Sequence, residues 1–329
     1  MIRVGVIGCG GIAPWHISAI NDLPDTVLSA VCDSNPAFAA KTAKEQGVRA
    51  FSSADEMLLS GEIDAAAICT PSGTHAELAI KALKNGIYPI VEKPMAITPE
   101  SLDRLLDAEA KSRAFICPIS QLRFLPDVKK VKNCLESGRI GNIVLADLSM
   151  KYWRDEAYYS QKKWRGTWEM DGGGALMNQG IHGLDLLCWL CGTPECVSAT
   201  ASTVCHDIET EDTLSASLRF GNGAVCNVIA STAAFPGFPR RLEICGDKGS
   251  LTLIEGELTY SSIPDLDVHD HTGGGHSDPF AIDSAPHRMQ YQNIADAIKG
   301  RSPLLVTSSE SAKTLRLIFD IYRKAGIRE

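Results

Sequence analysis

Short apolar runs punctuate the first 120 residues, and each gives way to a stretch in which apolar positions recur at helical spacing. The runs are Val4 to Ile7, Val27 to Cys32, Ile63 to Cys69, Tyr88 to Val91 and Ala114 to Ile119, the last completing the expected sheet. Helix punctuation lies between them. Pro36 opens a helix that Gly47 closes, Thr74 to Asn85 ends at Gly86, and Thr98 precedes Pro99 at a first helical position. The alternation predicts an α/β fold over residues 1–120, a doubly wound parallel sheet with helices on both faces.

Beyond residue 121 the pattern changes. A helix over about Pro126 to Glu136, ended by Gly138, leads into alternating strands separated by the hairpin signals Gly221-Asn222-Gly223, Asp247-Lys248-Gly249 and Glu255-Gly256-Glu257. Residues 121–329 are expected to form an α+β domain on a large, open, mostly antiparallel sheet. Within it, Gly172-Gly173-Gly174 should lead into a helix on which Asn178, His182 and Asp185, spaced four and three apart, share a polar face. Leu176, Leu187 and Leu190 face the core. The tail, His287 to Ala325, reads as two amphipathic helices around Pro303 to Val306.

Composition narrows the function. The chain has 329 residues, 44% hydrophobic and 22% charged, enough for two cores. Its net charge of −8 carries no basic stripe, which argues against nucleic acid or an anionic membrane as partner. The first seven residues already form a strand, leaving no space for a signal peptide, and no apolar stretch reaches the roughly 18 residues of a membrane span. A cytoplasmic protein is expected. The eleven cysteines fit a reducing compartment, since most lie singly in apolar elements; Cys188 and Cys191 form a CxxC without a matching second pair, so no metal is expected there.

Candidate chemistry begins at Gly8-Cys9-Gly10-Gly11-Ile12-Ala13. Gly8 permits a tight turn after the first strand, and Gly10 lets the backbone approach a pyrophosphate. Small Ala13 allows close helix packing. The helix starting near Ile12 would aim its N–H groups at the phosphates. Asp33, at the end of the second run, stands where a carboxylate binds the ribose hydroxyls. With no arginine at Ser34 or Asn35, NAD is expected rather than NADP. Two further strand ends carry polar residues, Thr70-Pro71-Ser72-Gly73-Thr74-His75 and Glu92-Lys93-Pro94, and carboxyl ends of parallel strands are where ligands bind. The loop Pro264 to Pro279, with His269, His271 and His276, reads as a solvated insertion rather than a metal site.

With these motifs in order, the whole chain resembles the Gfo/Idh/MocA family of nicotinamide-dependent oxidoreductases, to which glucose-fructose oxidoreductase and inositol dehydrogenases belong. The marks are the Gly8 to Ala13 turn, Thr70-Pro71 with His75, Glu92-Lys93-Pro94, Arg123-Phe124, Trp164-Arg165-Gly166, and the glycine-led helix with His182 and Asp185. The resemblance implies that Lys93 lies beside the nicotinamide and the reacting carbinol, with a cis bond to Pro94. It implies that Thr70, Pro71, His75 and Glu92 line the cofactor, and that Arg123, Trp164, Arg165, Asn178 and Asp185 face the substrate. One departure matters: many relatives carry Asp where this chain has Asn178, and an amide cannot accept a proton at neutral pH.

The implied activity is NAD-dependent hydride transfer at a ring hydroxyl carbon of a sugar, sugar derivative or cyclitol. His182 or Lys93 would be the base, Lys93 would polarise the oxygen, and Asn178 would hold the sugar. A homo-oligomer, dimer or tetramer, is expected through the C-terminal sheet. Two alternatives stand beside it, an NAD-retaining glycosidase acting by transient oxidation and elimination, and a non-catalytic NAD-responsive binding protein.

Overall fold

The computed structural model describes residues 1–270 and 284–328. In chain order the first elements are β1 (Ile2–Ile7), α1 (Ala13–Asn21), β2 (Thr26–Cys32), α2 (Pro36–Gln46), β3 (Arg49–Phe51), α3 (Ala54–Leu59), β4 (Ala65–Ile68), α4 (His75–Lys84), β5 (Tyr88–Val91), α5 (Pro99–Ala110) and β6 (Cys117–Pro118). There follow α6 (Pro126–Glu136), β7 (Ile143–Lys151), α7 (Glu156–Ser160), a π-helix (Ala175–Gly180), α8 (Ile181–Cys191), β8 (Glu195–Ser202), β9 (Thr213–Arg219), β10 (Val225–Ser231), β11 (Arg241–Gly246), β12 (Ser250–Ile254) and β13 (Glu257–Ser261). Helices α9 (Ala285–Ile298) and α10 (Ser308–Lys324) complete the chain.

The first sheet is parallel throughout, in the order β3-β2-β1-β4-β5-β6. Strand order reverses between β1 and β4, which creates the crevice where doubly wound sheets hold dinucleotides. Buried on both faces, β4 consists of Ala65, Ala66, Ala67 and Ile68, and β1 is apolar at every position but Arg3. Local signals set the helix ends. The Asn35 side chain accepts the Ala37 N–H and Pro36 opens α2, while Gly47 closes it at φ 68°. Thr98 and Ser101 form a reciprocal capping box at α5.

The second sheet has seven strands in the order β13-β12-β11-β7-β10-β9-β8, antiparallel except for the β7–β10 pair. Alternate residues Ala146, Leu148 and Met150 of β7, and Cys226, Val228 and Ala230 of β10, are buried, so one face packs on a core as the alternating pattern requires.

The chain divides into two compact units, Met1–Gln121 with Asp283–Ala312, and Leu122–Ile282 with Lys313–Glu329. This differs from a single cut near residue 121. Tyr291 and Ile294 of α9 join Val4, Ala65 and Ile90 in the core of the first unit, a tertiary return that no local pattern announces. The other difference lies after the triple glycine: the helix is π-wound through Ala175–Gly180 before it becomes α-helical. No helix among the described residues is long and apolar enough to cross a membrane. All eleven cysteines are free, and burial pushes the Cys188 thiol up to about 12, which leaves it inert as a thiolate. Of the histidines in the loop after Pro264, His269 is described and stands 3.1 Å from Asp127; His271 and His276 lie outside the described residues.

Candidate active site

In the first unit β1 runs into Gly8 at φ 95°. A Cβ there would stand 2.7 Å from the Cys69 carbonyl oxygen, so glycine is required at the turn. A Cβ on Gly10, by contrast, would meet no atom within 4 Å, and the backbone is open on that side to a pyrophosphate. Gly11 is exposed, and Ile12 precedes α1 without a side-chain cap, so its first N–H groups have no competing side chain. Asp33 ends β2 with both oxygens turned on the backbone: Cys9 N–H donates to Oδ2 at 2.7 Å, and Asn35 N–H to Oδ1 at 2.8 Å. The carboxylate thereby fixes the glycine turn relative to the next strand. Each oxygen keeps a lone pair for a ribose hydroxyl. These residues fit NAD.

Glu92 and Lys93 follow β5, and the Lys93–Pro94 peptide is cis. Glu92 is buried, with Oε2 accepting the Lys93 N–H at 3.0 Å and Oε1 lying 2.8 Å from His16 Nε2. On its other side, His16 Nδ1 lies 2.7 Å from the Tyr291 hydroxyl. Burial opposes charge on both groups. For His16 the neighbours Cys69, Tyr291 and Glu92 outweigh it and raise its pKa well above the ordinary value; for Glu92 the hydrogen bond and charge of His16, then Lys93, outweigh it and hold the carboxyl well below the carboxylate range. The pair is therefore ionic.

His16, Glu92 and His287 also offer three metal-ligating atoms close together. Two ligands at 2.0–2.1 Å from one tetrahedral ion stand roughly 3.3 Å apart, and 2.8 Å is the spacing of a shared proton. Neither ring nitrogen of His287 has a hydrogen-bond partner. Burial, then the charge of His16, pushes its pKa down to about 4, so the ring is neutral.

His75 is 1% exposed and its ring nitrogens lie 2.8 Å from the Pro94 carbonyl oxygen and 2.7 Å from that of Thr70. It braces the turn after β4 against the turn bearing Lys93. Burial outweighs the two carbonyls and depresses its pKa. Thr70 and Pro71 remain half-buried, with the Thr70 hydroxyl 2.6 Å from that of Thr74.

In the second unit Arg123 and Asp185 pair with each other, while Arg123 Nη1 finds no hydrogen-bond partner among the described residues. Nε donates to Oδ2 at 2.8 Å and Nη2 to Oδ1 at 2.6 Å; Arg123 is 1% exposed, and its guanidinium lies 5.5 Å from the Trp189 ring centroid. A buried guanidinium needs a carboxylate partner, and Asp185 is that partner. Both were expected to face substrate; the structure engages them with each other in a buried ion pair. Asp185 thus leaves the expected polar face, while Asn178 and His182 stay half-buried.

Asn178 belongs to a chain of side chains. Its amide donates to the Asp171 carboxylate, its carbonyl accepts from Gln179 Nε2 at 2.8 Å, and Gln179 in turn donates to the Tyr158 hydroxyl and accepts from Arg154. Asp171 also accepts the Gly166 N–H at 2.9 Å, which ties the Trp164-Arg165-Gly166 bend to Asn178. Arg165 donates to the Tyr158 carbonyl and lies 3.9 Å over the Tyr158 ring, while Trp164 accepts the Thr167 hydroxyl with its carbonyl. A carboxylate thus touches residue 178 after all, supplied by Asp171 seven residues earlier. His16 was findable in the sequence, three positions after Ala13 on the buried face of α1. His287, Tyr291, Asp171 and Gln179 gave no signal, because their partners are set by tertiary packing.

Residues 2–118 match the model of an oxidoreductase family with an NAD-binding Rossmann fold, and residues 128–252 match the GFO/IDH/MocA C-terminal domain. Inositol 2-dehydrogenase of Rhizobium meliloti is 28% identical over 259 residues, 76% of this chain and 74% of the relative. D-glucoside 3-dehydrogenase of Escherichia coli is 27% identical over 283 residues, 78% of each. Among solved structures, the WlbA dehydrogenase of Bordetella pertussis in complex with NADH and UDP-GlcNAcA superposes with a TM-score of 0.90 at 31% identity, covering 99% of this chain and 95% of that one.

Proposed function

Because the chain belongs to the GFO/IDH/MocA family of NAD-binding oxidoreductases, we propose that it is a dehydrogenase for a ring secondary alcohol of a sugar, sugar derivative or cyclitol. The observation that carries the reading is the Glu92-Lys93-Pro94 turn. It holds a half-buried amine at the carboxyl end of β5, in an NAD-binding unit, with its backbone pinned by a buried carboxylate. The relatives named above act on an inositol and a glucoside or hold a UDP-linked sugar acid, and a ring carbinol is what those molecules share.

Bound NAD supplies the hydride acceptor or donor. The turn Gly8 to Ile12 receives the pyrophosphate, Asp33 the ribose hydroxyls, and Thr70 and Pro71 border the cofactor. Lys93 polarises the reacting oxygen. His182 or Lys93 removes its proton as the carbinol is oxidised, and the network of Asn178, Trp164 and Arg165 orients the ring. Asn178 acts there as a fixed polar group, its amide and carbonyl already engaged by Asp171 and Gln179.

The test is a panel of sugars, sugar acids, cyclitols and UDP-sugars with NAD, followed by NADH absorbance. A dehydrogenase yields NADH with at least one class. Cleaved glycoside without net NADH would make the protein a glycosidase instead, and NAD binding without turnover of any compound a binding protein.

The protein is also proposed to self-associate through the exposed face of its seven-stranded sheet, where Leu145 and Val225 lie side by side at 40% and 54% exposure. Light scattering at the mass of one chain would overturn this. The free cysteines suit a reducing compartment, and the proposed place of action is the cytoplasm.

A further inference from the structure

The amino end of the π-helix is held in a way that its own sequence does not supply. A helix begins with N–H groups that have no partner within it, and here there is no side-chain cap at Gly174. Each early N–H nevertheless finds an acceptor from elsewhere in the second unit. Gly174 N–H donates to Glu211 Oε2 at 2.9 Å, Ala175 N–H to the Glu211 carbonyl at 2.8 Å, Leu176 N–H to Glu211 Oε1 at 2.9 Å, and Met177 N–H to the Tyr322 hydroxyl at 3.1 Å. Tyr322 then donates to Glu211 Oε1 at 2.8 Å, which closes the arrangement. Asn178 N–H is the first to bond back within the segment, to the Gly174 carbonyl at 2.9 Å.

The triple glycine makes room for this. A Cβ on Gly173 would lie 2.3 Å from the Tyr322 hydroxyl, and one on Gly174 would lie 1.8 Å from the Glu211 carbonyl oxygen. Glycine is needed at both places because the clamp approaches the backbone itself. Glu211 is 2% exposed, and burial pushes its carboxyl up to about 7 against the pull of Leu176, Tyr322 and Gly174. An apolar side chain would avoid that cost. What the carboxylate adds is acceptors for N–H groups that would otherwise be buried without partners.

We propose that Glu211 is a positioning residue: with Tyr322 it fixes the winding of the π-helix and so the placement of Asn178 and of His182 beyond it. The inference rests on the reading of Asn178 and His182 as reaction-site residues. A π turn encloses one more residue than an α turn, so a segment released from the clamp and rewound as α turns Asn178 about the helix axis by on the order of tens of degrees. The side chain then leaves Asp171 and Gln179. Gln at 211 is isosteric but offers one oxygen, so either Gly174 or Leu176 would face an NH2 group.

The test uses the full chain with substitutions Glu211→Gln and Tyr322→Phe. Three quantities are read: amide hydrogen exchange in the peptide covering 172–181, NAD affinity, and kcat and KM for the best substrate of the panel. Expected for Glu211→Gln is exchange about tenfold faster or more at Gly174 to Met177, the effect of one or two lost hydrogen bonds, with NAD affinity within about twofold and kcat reduced by about 10- to 100-fold while KM moves little. Tyr322→Phe should free Met177 and give a smaller loss of kcat. Exchange or kcat unchanged in Glu211→Gln overturns the proposal, and if that variant does not fold, Tyr322→Phe decides by the same two readouts. If the wild type turns over no compound yet the exchange rises as stated, the clamp stands and the reading of Asn178 and His182 falls.

Discussion

His16 Nε2 and Glu92 Oε1 stand 2.8 Å apart, His16 closed to solvent and Glu92 buried, which couples α1 to the turn that carries Lys93. Breaking such a pair from one side leaves a charge without its partner, at a cost of about 3–5 kcal/mol. Glu92→Gln is therefore expected to destabilise the fold by that order, whereas Lys93→Met should leave stability nearly unchanged and lower kcat by about 10² to 10⁴. Urea unfolding and steady-state kinetics on the two variants separate the roles. Equal stability losses would show that Lys93 is structural.

Asp33 is expected to set cofactor choice by charge. NAD should bind at least about tenfold more tightly than NADP, because a 2′-phosphate would meet a carboxylate already fixed by the Cys9 and Asn35 N–H groups. Asp33→Ser should narrow the gap, and it should also weaken both cofactors through the loosened glycine turn. Calorimetric titration with each cofactor is the measurement; equal affinities in the wild type would refute the assignment.

Arg123 and Asp185 should behave as one unit. Arg123→Met and Asp185→Asn should each cost about 3–5 kcal/mol, and the double variant less than the sum. A substrate-binding pair would instead raise KM at constant stability. Additive stability losses would mean that the two residues act separately.

The surroundings of Asn178 change what Asn178→Asp should do. On sequence alone, a carboxylate at this position would pair with His182 and raise its pKa. In the structure it would press against Asp171, so one of the two carboxyls would have to take up a proton. The variant is expected to lose activity at pH 8 and recover part of it toward pH 6. A kcat/KM profile that keeps the wild-type shape would show that residue 178 does not touch Asp171.

His287 makes stability depend on pH. Its folded pKa of about 4 lies below the ordinary 6.5, so the unfolded chain takes up a proton that the folded one refuses. That contribution is complete above pH 6.5 and is lost as pH falls toward 4, by at most about 3 kcal/mol. Glu211, raised from 4.5 to about 7, has the opposite sign, lowering stability as pH rises through that interval. Only the difference between wild type and His287→Phe isolates the histidine. Urea unfolding at pH 7 and pH 5 should show a smaller loss in the variant, and equal losses would contradict a buried neutral ring.

What the sequence disclosed followed local rules. The helix caps depend on neighbours within a few residues, the glycine turn and Asp33 are marked by their spacing along the chain, the cis Lys93–Pro94 bond was implied by the family resemblance, and the strand pattern of both sheets follows from burial on two faces or one. Arg123 and Asp185 are 62 positions apart, and nothing local distinguishes a buried ion pair from two substrate ligands. The winding of Ala175–Gly180 was hidden for the same reason: its acceptors come from Glu211 and Tyr322, so a 3.6-residue period placed Asn178 and Asp185 together where the π turn and the Arg123 contact separate them.

The NAD-binding unit is not contiguous in the gene. A ribosome that has released the first 121 residues has delivered all six strands, the glycine turn and Lys93, yet Tyr291 and His287 are still to be made. Until α9 is translated, His16 lacks its hydroxyl partner and β1, β4 and β5 lack the cover of Tyr291 and Ile294. Synthesis of the second unit therefore falls between the beginning and the completion of the first. A fragment ending at residue 121 should bind NAD weakly and aggregate, whereas adding residues 284–312 in trans should restore it. Cofactor competence is then expected to arrive late, with the segment whose Tyr291 holds His16.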